Sequence, residues 1–411
     1  MTSDRLNILI VSPALPLPLW GFGTRVYQLA RHLSARHDVT ILSYARPIDD
    51  GVLPLVREVC SDLRIVTREP ADRAARRRSQ LRSIVSMLPH GGWELKSRAM
   101  QATFDELLST ERFDLVQFES SQMLAAVEVP AGTRVVLDEH NLESELLERM
   151  RQGERSRARR LYNRVECRKF GRLEQRLWTQ VGAVAVPSER EASTVRQRTS
   201  TPVATVPNGV DLDFFTPGRE DPEPARLVFT GLLSYRPNFD AVMYLVDEIL
   251  PRIQRLHPDI VLSVVGHGQE SDLEQLRRPH VDVTGWVEDV RPYVARAAVV
   301  VVPLRIGGGT RLKVIEAMAM GKPIVSTSVG CEGLDVSHGE HLLVADDPER
   351  FALEVGRLLD DRQLALALGA AGRERAVEAY SWDRVSGRLE KLYETVLRPP
   401  GVRLDHPTAR A

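Results

Sequence analysis

Two doubly wound α/β domains in tandem are predicted for this chain of 411 residues, and three observations predict them. Short apolar runs bounded by polar turns recur along the chain, continuous rather than alternating, as strands of a parallel sheet covered on both faces must be. Segments with apolar residues at helical spacing separate most of these runs. The length suits two domains of about 100–200 residues each. The stretch from Pro207 to Arg226, with four prolines, two glycines and several acids, is where the chain should pass from one to the other.

The elements follow in order. Asn7-Ile-Leu-Ile-Val11 reads as a strand stopped by Ser12 and Pro13, and a long loop leads to a helix over Val26–Leu33 and a strand over Val39–Leu42. Leu115–Phe118, Val135–Leu137, Val181–Val186 and Ala204–Val206 continue the first sheet. The second series has strands at Leu227–Thr230, Ile260–Val265, Val281–Thr284, Val299–Val302, Pro323–Ser326 and Leu342–Val344. Helices over Asp240–Leu256, Leu312–Met320 and Pro348–Leu359 lie between them. The domains therefore run over residues 1–205 and 206–382. A last helix over 383–397 is expected to pack back on the first domain, and residues 398–411, with three prolines, form a disordered tail.

Composition excludes several classes. Apolar residues make up 43% and charged residues 27%, with a formal net charge of -1, which fits neither a disordered chain nor a nucleic-acid binder. The charge is uneven: residues 1–200 carry 31 Lys and Arg against 25 Asp and Glu, and the remainder 24 against 31. Three scattered cysteines, Cys60, Cys167 and Cys331, suit a reducing cytoplasm and supply neither a disulfide framework nor a zinc site. The apolar stretch Asn7–Val11 is too short for a signal-peptide core, and the longest uncharged apolar run, Ala297–Leu304, is far below the ~20 residues that span a bilayer. A soluble or peripherally bound cytoplasmic protein is expected. Two basic segments, Arg73–Arg82 with five arginines and Arg149–Arg176 with eleven Lys or Arg, read either as solvated helix faces or as a surface for anionic lipid or an acidic acceptor.

Ligands of open α/β sheets bind at the carboxyl ends of strands, and anions gather at helix amino termini. Gly21-Phe-Gly23-Thr24 sits where a phosphate could approach the backbone. A dinucleotide-binding turn fits poorly, because Pro13–Trp20 intervene after the strand and Ser43 stands where an acid would hold a ribose. The run VVPLRIGGGTRLKVIEAMAMGKPIVST from Val301 is more informative. Its glycines expose N–H groups, Thr310 can cap a helix, and Arg311 and Lys313 add positive charge, which together outline a diphosphate site. Glu316 then falls among Val314, Ile315, Ala317 and Met318, where an unpaired carboxylate is costly and a ligand hydroxyl is a natural partner. Asp211-Leu-Asp213 lies in the linker and His338 and His341 in a loop, and none of them reads as a metal ligand.

Taken together, these motifs resemble the retaining, two-domain glycosyltransferases of glycosyltransferase family 4. The resemblance extends through LDEHNLES from Leu137, AVPSERE from Ala185, VPNGVDLDFF from Val206, FTGLLSYRPN from Phe229, VVGHG from Val264, VTGWVEDVRPY from Val283 and the closing Tyr-Ser-Trp. It implies the GT-B architecture: two Rossmann-like domains with an interdomain cleft, a nucleoside-diphosphate sugar held by the second domain and an acceptor mainly by the first. It implies a metal-independent retaining transferase without cofactor, whose acceptor is a glycan, a lipid-linked saccharide or a small molecule.

Carried over by position, Glu316 corresponds to the family glutamate that holds the donor ribose, and Gly308 stands in place of its first glutamate. Gly308, Gly309 and Thr310 would offer backbone donors to the diphosphate, joined by Gly21, Gly23 and Gly266. Gly285, Trp286 and Val287 would line the base pocket. The family's usual Arg and Lys after the first strand of the second domain are absent, so Arg236, Arg311 and Lys313 are the candidate diphosphate cations. His140 corresponds to the family histidine near the reacting sugar and acceptor. A catalytically silent homologue is the alternative that the missing glutamate leaves open.

Overall fold

The computed structural model describes residues 5–18, 21–68, 86, 88–152, 156–218, 222–307 and 310–398. Seven parallel strands form the first sheet in the order β3-β2-β1-β4-β5-β6-β7, and six form the second in the order β10-β9-β8-β11-β12-β13. The first set is β1 Asn7–Ser12, β2 Asp38–Ala45, β3 Asp62–Thr67, β4 Leu115–Glu119, β5 Val135–Asp138, β6 Ala183–Val186 and β7 Val203–Thr205. The second is β8 Glu223–Thr230, β9 Val261–Val265, β10 Val281–Gly285, β11 Ala297–Val302, β12 Ile324–Ser326 and β13 Leu343–Val344. Strands such as β4, β5 and β6 are buried at every position, which is why they read as unbroken apolar runs. In each sheet the chain reverses its direction of travel between two central strands, β1 and β4 or β8 and β11, and the crevice at the carboxyl ends of such strands is where open α/β sheets bind ligands.

Seven helices matter for the site: α1 Gly21–Ser34, α2 Glu143–Gln152, α3 Arg157–Trp178, α4 Arg236–Tyr244, α5 Leu312–Ala319, α6 Arg362–Tyr380 and α7 Trp382–Leu397. The helix expected over Asp240–Leu256 starts earlier, at Arg236, and runs through a π-turn at Leu245–Ile249 before Leu250–Leu256. The basic stretch expected as one surface is two helices, α2 and α3. Phe170, Leu173 and Leu177 of α3 are core residues, whereas Leu161 is 64% exposed. Arg73–Arg82 and the tail beyond Arg398 lie outside the described residues.

After the second domain the chain returns to the first. Val385, Leu389 and Tyr393 of α7 pack with Ile8, Ile10, Val26 and Leu29 on one face of the first sheet. The two crossings, out and back, lie side by side: Val210 N donates to Tyr380 O at 2.7 Å, and a Cβ on Gly209 would lie 2.5 Å from the Trp382 ring. No helix among the described residues is long and apolar enough to cross a membrane.

Candidate active site

On the first-domain side, the ends of β4 and β5 bring charged side chains under the first loop. Asp138 closes β5 and is fully buried; Arg25 of α1, 1% exposed, binds both its oxygens, at 2.7 and 3.0 Å. Glu119 closes β4, also fully buried, and meets His140 Nε2 at 2.7 Å. The ring of Phe22, in the first turn of α1, stacks on the His140 imidazole with centroids 4.4 Å apart. The Gly21–Gly23 segment, expected as a loop ahead of a helix at Val26, is thus the first turn of α1, and it touches His140. Ser120, which follows Glu119, holds φ +84° without being glycine, a strained backbone costing about 1–3 kcal/mol of the kind that clusters at functional sites.

Glu119, Asp138 and His140 present ligand atoms within 4.8 Å of one another, close enough for a metal ion. The donor set does not suit one. Arg25 takes both Asp138 oxygens, and His140 and Gln117 take one Glu119 oxygen each. The guanidinium already supplies the positive charge that the buried acids require.

On the second-domain side, α5 follows β11 after the stretch 303–311. Lys313 Nζ donates to Asn238 Oδ1 of α4 at 2.9 Å and sits 3.9 Å over the Phe229 ring. Burial, with Arg311 adding repulsion, pulls its ammonium down to about 7. Glu316 lies one turn on. Burial pushes its carboxyl up to about 7 against the attraction of Lys313, and it makes no hydrogen bond among the described residues. Arg311 is 9% exposed and donates from Nη2 to Val329 O at 3.3 Å, so it lies behind the loop rather than on the open surface. Arg236 is exposed at the first turn of α4.

The loops after β8, β9 and β10 are strapped in series: Gly231 N donates to Val265 O at 2.9 Å and Gly266 N to Gly285 O at 3.1 Å. A Cβ on Gly266 would lie 1.8 Å from Gly231 O, so this glycine is required by the approach of two backbones. The same holds for Gly23, whose Cβ would lie 2.1 Å from Leu17 O. Gly285 turns with φ +68° at the end of the outermost strand, followed by Trp286, 69% exposed, and the half-buried Val287.

The two sides meet. A Cβ on Gly21 would be 3.7 Å from Leu312 Cδ1, which places the first turn of α1 against the start of α5. Arg149 of α2 holds Glu332 with bonds of 2.6 and 2.8 Å and donates to Gly307 O at 2.5 Å, and Arg190 meets the same Glu332 at 3.3 Å. These contacts latch the first domain onto the loops around β11 and β12.

Residues 21–214 match the family model for Glycosyltransferase Family 4, and residues 224–361 that for group 1 glycosyl transferases. The chain belongs to the group 1, family 4 glycosyltransferases. A Klebsiella pneumoniae protein, described as an uncharacterized 44.6 kDa protein in the cps region, is 23% identical over 85% of this chain and 90% of its own. The GDP-mannose-dependent alpha-(1-6)-phosphatidylinositol monomannoside mannosyltransferase of Mycobacterium tuberculosis is 33% identical over 45% of this chain, and the match spans 54% of that enzyme's length. In structure, sucrose-phosphate synthase from Thermosynechococcus elongatus has the same fold, with a TM-score of 0.69 at 20% identity over 95% of this chain and 99% of that one.

Set within this glycosyltransferase, the sequence-derived residues fall into groups. Gly21, Gly23 and His140 gather on one wall, and Thr310, Arg311, Lys313 and Glu316 on the other. Gly285, Trp286 and Val287 lie two strands away from β8, and Gly308 and Gly309 lie outside the described residues. Thr310 does not cap α5. Arg311 occupies that position, and Thr310 instead accepts Asn208 N on Oγ1 at 3.1 Å and Asn208 Nδ2 on its carbonyl at 3.0 Å. The linker thereby engages both the glycine-rich loop and Arg25, which donates to Pro207 O at 3.0 Å. Arg149, read from sequence as part of a basic segment that forms either a solvated helix face or a surface for an anionic partner, is an interdomain residue. Sequence reasoning passed over Arg25, Glu119 and Asn238. Of these, Glu119 carried a signal, as an isolated charge in the otherwise buried strand run LVQFE.

Proposed function

We propose that this glycosyltransferase moves a sugar from a nucleoside-diphosphate sugar to an acceptor hydroxyl with retention of configuration and without a metal. The observation that carries the reading is Glu316: a carboxylate without a hydrogen-bond partner among the described residues, one turn from Lys313 at the carboxyl end of β11, where the fold accepts nucleotides. A ribose diol offers the donors it lacks. Lys313, Arg236 and the amino end of α5 offer charge to the diphosphate as it leaves. In the transfer the C1–O bond to the diphosphate breaks, the acceptor oxygen bonds C1 from the same face, and the acceptor proton passes to the departing diphosphate oxygen. The Arg25–Asp138 pair argues for arginine in place of a metal ion on the acceptor side.

Thermal unfolding with UDP, GDP, dTDP, ADP and NAD in turn, with and without EDTA, tests this. A shift with one diphosphate that survives EDTA and vanishes in Glu316→Ala is expected. A shift only with NAD, or none, counts against the reading, and the latter favours a silent homologue.

For the acceptor we favour an anionic or lipid-linked molecule. Arg157, Arg164, Arg168, Arg172 and Arg176 lie exposed along the 22-residue α3, with no ion pair among the described residues. They mark out a cationic stripe about 30 Å long. The expected result is binding to vesicles containing anionic lipid at low salt, weakened when three of these arginines become glutamine. Equal binding to neutral vesicles would refute it.

A further inference from the structure

A chain of buried polar groups leads from the last helix to His140. Tyr393 Oη donates to Gln117 Oε1 at 2.5 Å, Gln117 Nε2 donates to Glu119 Oε1 at 2.6 Å, and Glu119 Oε2 meets His140 Nε2 at 2.7 Å. Tyr393, Gln117 and Glu119 are all fully buried. Gln117 and Glu119 are two apart on β4 and so point to the same face, the one that α1 and α7 cover. Valine or leucine would fill those strand positions at less cost, since each buried polar group has to be matched by a partner. The link joins residues 276 apart in sequence, and it brings a helix that follows the second domain to the reacting-side histidine of the first.

The donors run in one sense. A tyrosine hydroxyl on the amide oxygen turns the amide NH2 toward Glu119, and that donor favours the carboxylate. An ionised Glu119, which can only accept, calls for Nε2–H on the His140 ring that it meets. Phe22 covers one face of the ring, 11% of the His140 side chain is exposed, and Nδ1 has no partner among the described residues. Other charged or titratable groups act on this chain: Arg25 from α1, Asp138 and Glu139 from the β5 end, and Glu390 from α7. Arg25 is bound to Asp138, Glu139 to Ser121 and Trp178, and Glu390 to Arg36 and His37, so the Glu119 oxygens are left to Gln117 and His140.

We infer that Gln117 and Tyr393 are positioning residues, which act through Glu119 to hold His140 as its Nε2–H tautomer with Nδ1 left as a lone-pair acceptor. The inference rests on His140 standing beside the reacting sugar and acceptor. Burial pushes the Glu119 carboxyl up, opposed by its bond to His140. Loss of the Gln117 donor therefore moves Glu119 toward its protonated form, which donates to Nε2 and shifts the ring to Nδ1–H.

The test uses the full chain with Tyr393→Phe, which keeps the ring, and Gln117→Leu. The nitrogen NMR spectrum of labelled histidine, with His140→Gln for assignment, reports the tautomer. Steady-state kinetics use the donor found by the diphosphate screen. Wild type should show Nε2–H, and both variants should gain Nδ1–H and lose about 10- to 100-fold in kcat, with KM for the donor within about 2-fold. If Gln117→Leu does not fold, Tyr393→Phe decides. An unshifted tautomer overturns the positioning chain. A shifted tautomer with unchanged kcat overturns the place given to His140, independently of whether Glu316 binds the donor.

Discussion

Replacing Glu316 by glutamine should make the unliganded protein more stable while removing its response to a nucleoside diphosphate. Burial raises this carboxyl from 4.5 to about 7. At about 1.4 kcal/mol for each pH unit, ionising it inside the fold costs about 3 kcal/mol at most, less whatever the solvent at the cleft screens. Because the folded value is the raised one, the contribution to stability is complete below pH 4.5 and is lost as pH climbs through about 7. Glu316→Gln, neutral and nearly isosteric, should then match wild type near pH 4.5 and exceed it by up to about 3 kcal/mol above pH 7.

Urea unfolding between pH 5 and 8.5 measures this, and the melting temperature should rise by about 2–4 °C per kcal/mol for a domain of this size. With ligand at 100 times its Kd, wild type gains about 2.7 kcal/mol and the variant none. A glutamine variant less stable than wild type across the whole pH range would refute the reasoning, because the carboxylate would then be serving the fold rather than a ligand.

Other outcomes follow from the same contacts. Arg25→Met leaves Asp138 buried beside Glu119 without its cation, and it should cost about 3–5 kcal/mol in urea unfolding; a loss below about 1 kcal/mol would contradict the pairing. Gly266→Ala places a Cβ 1.8 Å from Gly231 O, so it should destabilise the second domain by about 1–3 kcal/mol and weaken diphosphate binding by displacing the loop beside Lys313. Isothermal calorimetry and melting together would check both effects. Arg149→Ala opens a half-exposed latch worth about 0.5–1 kcal/mol, so small-angle scattering should show a larger radius of gyration than wild type at low salt and a smaller difference at 1 M salt.

The sequence by itself determined the two parallel sheets, because strands buried on both faces must be continuously apolar, as Val135–Leu137 and Val299–Val302 are, and polar turns with helical spacing separate such runs. It missed β3, an edge strand interrupted by Arg64 in which only Leu63 and Val66 are buried, and the helix Arg362–Tyr380, whose alanines and glycines give little amphipathic contrast. Glu316 was legible as a candidate for a local reason: a charge within an apolar helical segment is costly wherever that segment packs.

Tertiary structure decided the rest. Thr310 reads as a cap until the linker supplies Asn208 from 102 residues away, and Arg149 reads as solvated until the second domain supplies Glu332 from 183 residues away. Arg25 with Asp138 and Tyr393 with Gln117 are likewise joined only by the order of strands and the return of α7. The physical reason is one of range. Backbone sterics and apolar periodicity act within a few residues and are written along the chain, whereas the meaning of a buried charge depends on its partner, which only packing supplies.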